Sequence, residues 1–325
     1  MTANRNFVGL DVGGTTMKAA VVQESGKVFP HATLPTEAAK GQEHGLQQMY
    51  ATIRAAVSTA GLSISDISGI GVATPGTMDL SAGLILDPPN LKPWRNVPVR
   101  DSIQKEFQVP TAFQNDANAA AFGEFWAGAG KGTVSMVMFT LGTGIGGGIV
   151  IDGKIMEGRH SHGGEIGHMG IQMTDGRLCG CGRRGCLEAY ASATSVVKRA
   201  QEAVELSNQP SLLREQLAAT DEELPAKVVF QAANQGDEIA RRIVDETAYY
   251  LAVGAMNMMH VIDPDMIVYG GGMTAAGEPF LQRIQFYIKQ LAFPVPAENT
   301  TVRYASLGSD AGFIGAAACA LSLMS

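Results

Sequence analysis

The chain is poor in the features that would narrow a first reading most quickly. Only four of its 325 residues are cysteine, too few for the disulfide framework that holds small secreted domains together. Charged residues are sparse at 17%, and 24 Lys and Arg stand against 31 Asp and Glu for a net charge of −7. A dedicated nucleic-acid binder would carry a basic stripe, and the sequence offers none. No charged-then-apolar leader with a cleavage site precedes Phe7, so a cytoplasmic protein is expected. The longest uncharged run, residues 133–151, has the length of a membrane span, but glycines interrupt it and its flanks are strand-like. Buried strands are therefore expected there, and no membrane association. Long linkers are lacking too, and with 46% hydrophobic residues the length suits two packed α/β domains.

What is present is concentrated. Between His162 and Ser192 lie three of the four cysteines, two histidines and two glutamates. Cys179, Cys181 and Cys186 are separated by Gly180, Gly182 and Gly185, which let a short loop turn its thiolates toward one point. Three thiolates and one imidazole form a closed tetrahedral set for Zn²⁺, and a closed set is structural rather than catalytic. His168 is the favoured fourth ligand, with His160 and His162 as alternatives. A disulfide or free thiols are the competing readings, but Cys179 and Cys181 stand too close in sequence to pair comfortably. Iron–sulfur ligation would need a further cysteine, and Cys319 lies in an apolar, alanine-rich run that reads as helix packing.

At the start of the chain, Phe7–Val12 and Met17–Gln23 are β-rich runs around Gly13-Gly14-Thr15-Thr16, a hairpin pattern, and Gly26–Thr33 is expected to complete a meander. The glycines allow backbone N–H groups close to an anion, the threonines add hydroxyls, and Lys18 adds charge. Asp11, at the end of the first strand, would hold Mg²⁺ or its water shell beside phosphates. A second strand–glycine–strand unit follows at Val137–Ile151, through Gly142-Thr143-Gly144-Ile145-Gly146-Gly147-Gly148, and the two units amount to a weak internal repeat. That stretch matches G-x-G-x-x-G, but a strand follows where a dinucleotide fold needs a helix.

Other segments supply polar groups at strand ends. Ile70–Ala73 runs into Thr74-Pro75-Gly76-Thr77, and Asp87–Trp94 is a proline-stiffened loop of the kind that lines a cleft. Thr111–Gln114 enters Asn115-Asp116-Ala117-Asn118, where Asp116 is either a helix N-cap or a general base. Met266–Tyr269 enters Gly270-Gly271-Gly272, where a base and ribose could approach the backbone. Helices are expected over 42–60, 99–107, 119–126, 194–206, from Pro225, and over 238–260, 280–291 and 311–323. Met256, Met258 and Met259 read as core.

Taken together, Gly9-Leu10-Asp11-Val12-Gly13-Gly14-Thr15-Thr16-Met17-Lys18, Gln114–Asn118, Leu141–Gly148, Gly164-Glu165-Ile166-Gly167-His168 and the Cys179–Glu188 motif resemble, in order and spacing, the ROK family of sugar kinases and repressors. The resemblance spans nearly the whole chain. It implies an actin-like (ribonuclease H-like) ATPase fold of two α/β domains around a cleft, drawn here as 1–116 with 311–325, and 117–310. It implies Asp116 as the general base on a sugar 6-hydroxyl, and ATP and Mg²⁺ as cofactors with phosphate-side residues Asp11, Gly13, Gly14, Thr15, Thr16, Lys18, Thr143 and Gly144, and nucleotide contacts at Gly271 and Gly272. Sugar contacts would come from Gly76, Thr77, Asn90, Asn115, Glu165, His168 and Glu188, with His168 shared between zinc and sugar. The Asp87–Pro98 loop resembles the glucokinase branch, so ATP-dependent phosphorylation of glucose is expected, with fructose, mannose, allose or an N-acylhexosamine as alternatives. A homodimer is implied as well. Family repressors carry a helix-turn-helix ahead of the first strand, and only six residues precede Phe7, so an enzyme is expected over a repressor; a non-catalytic sugar sensor is the other reading.

Overall fold

The computed structural model describes residues 4–218 and 225–324. Its strands are β1 (Asn6–Val12), β2 (Thr16–Gln23), β3 (Ala32–Pro35), β4 (Ile67–Thr74), the short pair β5 (Met78–Asp79) and β6 (Leu84–Ile85), β7 (Thr111–Asn115), β8 (Ser135–Leu141), β9 (Ile145–Ile151), β10 (Lys154–Ile155), β11 (Met266–Gly270) and β12 (Thr301–Tyr304). The helices are α1 (Gln42–Thr59), α2 (Val99–Phe107), α3 (Asp116–Ala127), α4 (Glu188–Ala191), α5 (Ala193–Glu205), α6 (Leu212–Ala218), α7 (Ala226–Asn234), α8 (Glu238–Ile262), α9 (Glu278–Leu291), α10 (Pro294–Asn299) and α11 (Ala311–Ser322). Two compact units emerge, the first drawn from Met1–Thr133, Gly148–Gly164 and Ser306–Ser325, the second from Val134–Gly147 and Glu165–Ala305. Among the described residues no helix is long and apolar enough to cross a membrane.

The first unit is built on a sheet of order β3-β2-β1-β4-β7, in which β1 and β2 are antiparallel and β1, β4 and β7 run parallel. Alternation along β1 decides which face each side chain meets. Val8, Leu10 and Val12 join a core with Met49 and Ile53 of α1 and Ile103 and Phe107 of α2. Phe7 faces the other way and packs with Phe313, Ile314 and Ala317 of α11. Gly9 and Asp11 share that second parity, so the strand period puts Asp11 on the α11 side. The approach there is very close: a Cβ on Gly9 would overlap the Phe313 carbonyl oxygen, and one on Gly71 of β4 the Ala316 carbonyl oxygen.

The second sheet, of order β10-β9-β8-β11-β12, repeats the strand order of the first, with a meander followed by two parallel strands. The weak repeat seen in the sequence is therefore an architectural one. Tyr269 on β11 is 0% exposed, stacks on Phe139 of β8 with centroids 5.3 Å apart, and its hydroxyl donates to the Leu251 carbonyl of α8 (3.0 Å). Met258 and Met259 are buried in α8, as core methionines should be.

Two local expectations needed correction. The third strand is Ala32–Pro35 and not Gly26–Thr33, because β2 pairs with it from Ala19↔Ala32 to Thr16↔Pro35, while Gly26, at φ 87°, turns the chain before it. The second glycine turn is shorter than 142–148: β9 begins at Ile145, so Gly146, Gly147 and Gly148 are strand residues.

Candidate active site

In the first unit the turn between β1 and β2 is closed by Gly13 N–H on the Thr16 carbonyl (2.9 Å). Buried Thr36 braces it from outside: its N–H donates to Thr15 O (2.8 Å) and its hydroxyl to Gly13 O (2.7 Å). Asp11 and Lys18 are cross-strand partners, and Lys18 Nζ donates to Ser309 Oγ (3.2 Å). Burial first, then the charge of Asp116, push the Asp11 carboxyl up to about 7, with Lys18 acting the other way. The two aspartates are thus electrostatic neighbours, and a divalent cation at Asp11 would offset both effects. The donor chemistry fits Mg²⁺, which favours carboxylate and water oxygens.

Of the predicted sugar contacts of this unit, Asn90 lies against the turn. A Cβ on Gly14 would stand 3.2 Å from the Asn90 carbonyl oxygen. The Asn90 loop is fixed by Trp94, 1% exposed, whose Nε1 donates to Ala38 O (3.2 Å). Gly76, at φ 98°, packs on Pro88, and Thr77 Oγ1 donates to Asp87 O (3.5 Å).

Asn115, not Asp116, is the N-cap of α3: its Oδ1 accepts from Ala117 N (2.9 Å) and Asn118 N (3.2 Å). Capping fixes the amide orientation, so Asn115 offers a ligand its donor Nδ2. Asp116 is the first helical residue, and its Oδ1 accepts from Ala117 N (2.8 Å). Buried Gln114 sets the angle of this corner, accepting from Asn115 N (2.8 Å) while its Nε2 donates to Glu157 Oε1 (2.8 Å).

In the second unit the ligand atoms of His168, Cys179, Cys181 and Cys186 lie within 4.8 Å of one another. Cys181 and Cys186 sulfurs are 3.7 Å apart, as are Cys179 Sγ and His168 Nδ1. Bonds of about 2.3 Å from zinc to sulfur give tetrahedral S···S edges of about 3.8 Å, so the Cys181–Cys186 edge already has the required length. Burial pushes the Cys179 thiol up to about 12, and its S–H donates to Glu188 Oε1 (3.3 Å). A thiolate at that buried position calls for a cation, and the donor set fits Zn²⁺. His160 and His162, the alternative fourth ligands, are not part of the cluster; His162 Nδ1 donates instead to the His160 carbonyl (2.6 Å).

Glu188 opens α4, and its Oε2 accepts from Ile145 N (2.9 Å) at the glycine turn, where a side chain on Gly144 would collide with it. The cysteine loop and the turn are therefore tied through one carboxylate. Glu165, exposed, precedes the short 3₁₀ turn Ile166–His168. A cavity of about 430 Å³ is lined by Gly142, Thr143 and Gly272 together with Lys227, Phe230 and Gln231 of α7. Gly271, at φ 90°, brings β11 against the Leu141 backbone beside it. The α7 residues were missed from sequence, where Pro225 announced a helix but no motif marked its inner face. A larger cavity of about 1020 Å³ in the first unit is lined by His160 and His162 but by none of the residues expected to bind sugar or nucleotide. Around it, Arg100 donates to the Leu80 and Ser81 carbonyls and Glu157 accepts from Gln114.

The model of the ROK family matches residues 7–322. A glucokinase of Halalkalibacterium halodurans is 38% identical over 317 residues, covering 96% of this chain and 94% of that protein. Among solved structures, a ROK hexokinase from Thermus thermophilus superposes with a TM-score of 0.85 at 30% identity, covering 98% of this chain and 99% of its own. A ROK family glucokinase from Streptomyces griseus, in complex with glucose and AMPPNP, gives 0.79 at 32% identity, covering 98% and 99%.

Proposed function

The chain belongs to the ROK family and has its actin-like fold, and on that premise we propose that it is an ATP-dependent hexokinase that converts glucose to glucose 6-phosphate. The observation that supports this most is the Asp11–Asp116 pair, two interacting carboxylates in one unit, one beside a glycine-threonine turn and the other opening a helix. Phosphoryl transfer asks a protein mainly for positioning and charge stabilisation. Asp116 takes the proton of the sugar 6-hydroxyl as that oxygen bonds to the γ-phosphorus, and the bond from γ-phosphorus to the β–γ bridging oxygen breaks to release ADP. Asp11 is the residue that would hold Mg²⁺, which supplies charge neutralisation on the phosphates. Gly13, Gly14, Thr15, Thr16 and Lys18, with Thr143 and Gly144, present donors to phosphate oxygens, and Gly271 and Gly272 border the adenosine end.

Asn115 Nδ2, Glu165, Glu188 and the loop residues Gly76, Thr77 and Asn90 bond sugar hydroxyls. His168 would give Nδ1 to zinc and leave its other ring nitrogen to donate to the sugar, with Cys179, Cys181 and Cys186 completing the ligand set. Zinc supplies a fixed anchor for that ring and for the loop. A site built to bond hydroxyls rejects analogues that lack them.

The test is ADP release from Mg-ATP across glucose, mannose, fructose, allose, N-acetylglucosamine and N-acetylmannosamine. Turnover is expected on glucose, and Asp116→Asn is expected to lose about 10²–10⁴-fold in kcat, the range of general-base catalysis, while still binding sugar. Undiminished turnover in that variant would remove Asp116 from the role of base. Silence of the folded, zinc-loaded protein on every sugar would favour a sugar sensor.

A further inference from the structure

Glu124 takes no part in the chemistry above, yet it is 0% exposed two turns into α3, the helix that Asp116 opens. Its carboxylate is met by backbone and hydroxyl donors. Oε1 accepts from Ser306 N (2.9 Å) and Leu307 N (2.7 Å). Oε2 accepts from Ala129 N (2.7 Å), Ser306 N (3.1 Å) and Ser306 Oγ (3.2 Å). A carboxylate is the one side-chain group of this shape that accepts at both ends; a glutamine would point an NH₂ at N–H donors. Gly128 makes room for it, since a Cβ there would collide with Oε2.

The segment so held carries two contacts to the phosphate side. Ser306 and Leu307 lead into the 3₁₀ turn Gly308–Asp310, whose Ser309 Oγ receives Lys18 Nζ (3.2 Å), and then into α11. There Gly312 lies against Asp11, so closely that any side chain would overlap its carboxylate. One buried anion therefore joins the helix that begins at Asp116 to the segment that seats Lys18 and abuts Asp11. Buried acceptors with several donors are stiff, because moving them away leaves each buried donor without a partner.

We propose that Glu124 is a positioning residue: it sets the spacing of Asp116 from the Asp11–Lys18 pair and so the phosphate-side geometry, without touching substrate. This rests on the kinase reading above.

Amide hydrogen exchange on the intact wild-type protein comes first, because it needs no turnover. The amides of Ala129, Ser306 and Leu307 are expected to exchange at least about 100-fold more slowly than exposed loop amides, and exchange at loop rates overturns the proposal. In Glu124→Gln those three should speed up by about tenfold or more while β1 amides stay within about twofold. Gly128→Ala, which pushes on the carboxylate without removing it, should give a milder form of the same pattern and serves if the glutamine variant does not fold. In steady-state kinetics Glu124→Gln is expected to lower kcat about tenfold and raise the Mg-ATP KM about fivefold, with the sugar KM within about twofold. A smaller folded fraction would scale kcat and leave both KM values alone, and that outcome overturns the positioning role. A wild-type protein with slow exchange at the three amides but no turnover on any sugar would instead count against the kinase reading.

Discussion

Asp11 carries a testable signature of its burial. Its folded-state value is raised from 3.8 to about 7, so between those values the native chain holds a proton that the unfolded chain has lost. Binding more protons when folded makes stability fall as pH rises through that window, from about 4 to about 7, and level off above it. Asp11→Asn in the metal-free protein removes this decline. The variant should resist urea better than the parent at pH 8, by an amount of order a few kcal/mol, with a smaller gap near pH 4.5. A variant less stable at both values would show that the carboxyl is held by favourable partners. The proposed zinc ligands make a second prediction at this scale: Cys181→Ser should lower zinc content and weaken sugar affinity through His168, as read by metal analysis and calorimetry. Full sugar affinity in zinc-free protein would break that link.

At the scale of elements, the fit of α11 on β1 and β4 has no slack. Gly71→Ala would place a methyl against the Ala316 carbonyl, backbone against backbone, where no rotamer can yield. Overpacking of this kind costs about 1–3 kcal/mol and sometimes more, and the rigid neighbour puts the expected loss at the upper end. Gly26→Ala should cost less, since no atom lies near a Cβ there and only the positive φ of 87° is at stake. Urea midpoints of the two variants would order them. Equal losses would mean that α11 can shift away from the sheet. The same helix brings Gly312 to Asp11, so the packing of an apolar element also shapes the charged site.

For the whole molecule, the repeated strand order of the two sheets places a glycine turn at the same point of each half, after the first strand of the meander. The shared strand order accounts for two similar strand–glycine–strand motifs far apart in sequence. We also propose a homodimer, which light scattering would register as twice the 34.1 kDa of one chain; a mass of one chain at working concentration would exclude it.

The sequence by itself determined the elements whose periodicity and end signals agree, such as Gln42–Thr59, Val99–Phe107 and Thr301–Tyr304. It also determined the cysteine cluster, because ligand chemistry and short spacing leave few arrangements, while the choice of His168 over His160 and His162 was made by the fold. Tertiary structure decided the rest. The third strand moved to Ala32–Pro35 because pairing with β2, not local propensity, sets its register. Asn115 took the cap that Asp116 could equally have made, which became visible only in the hydrogen bonds of the corner. Lys227, Phe230 and Gln231 met Thr143 and Gly272 around one cavity, and Glu124 met Ser306 and Leu307, through folding alone. A motif records neighbours along the chain; the Glu124 contacts join residues 182 and 183 positions apart, where only packing brings donor to acceptor.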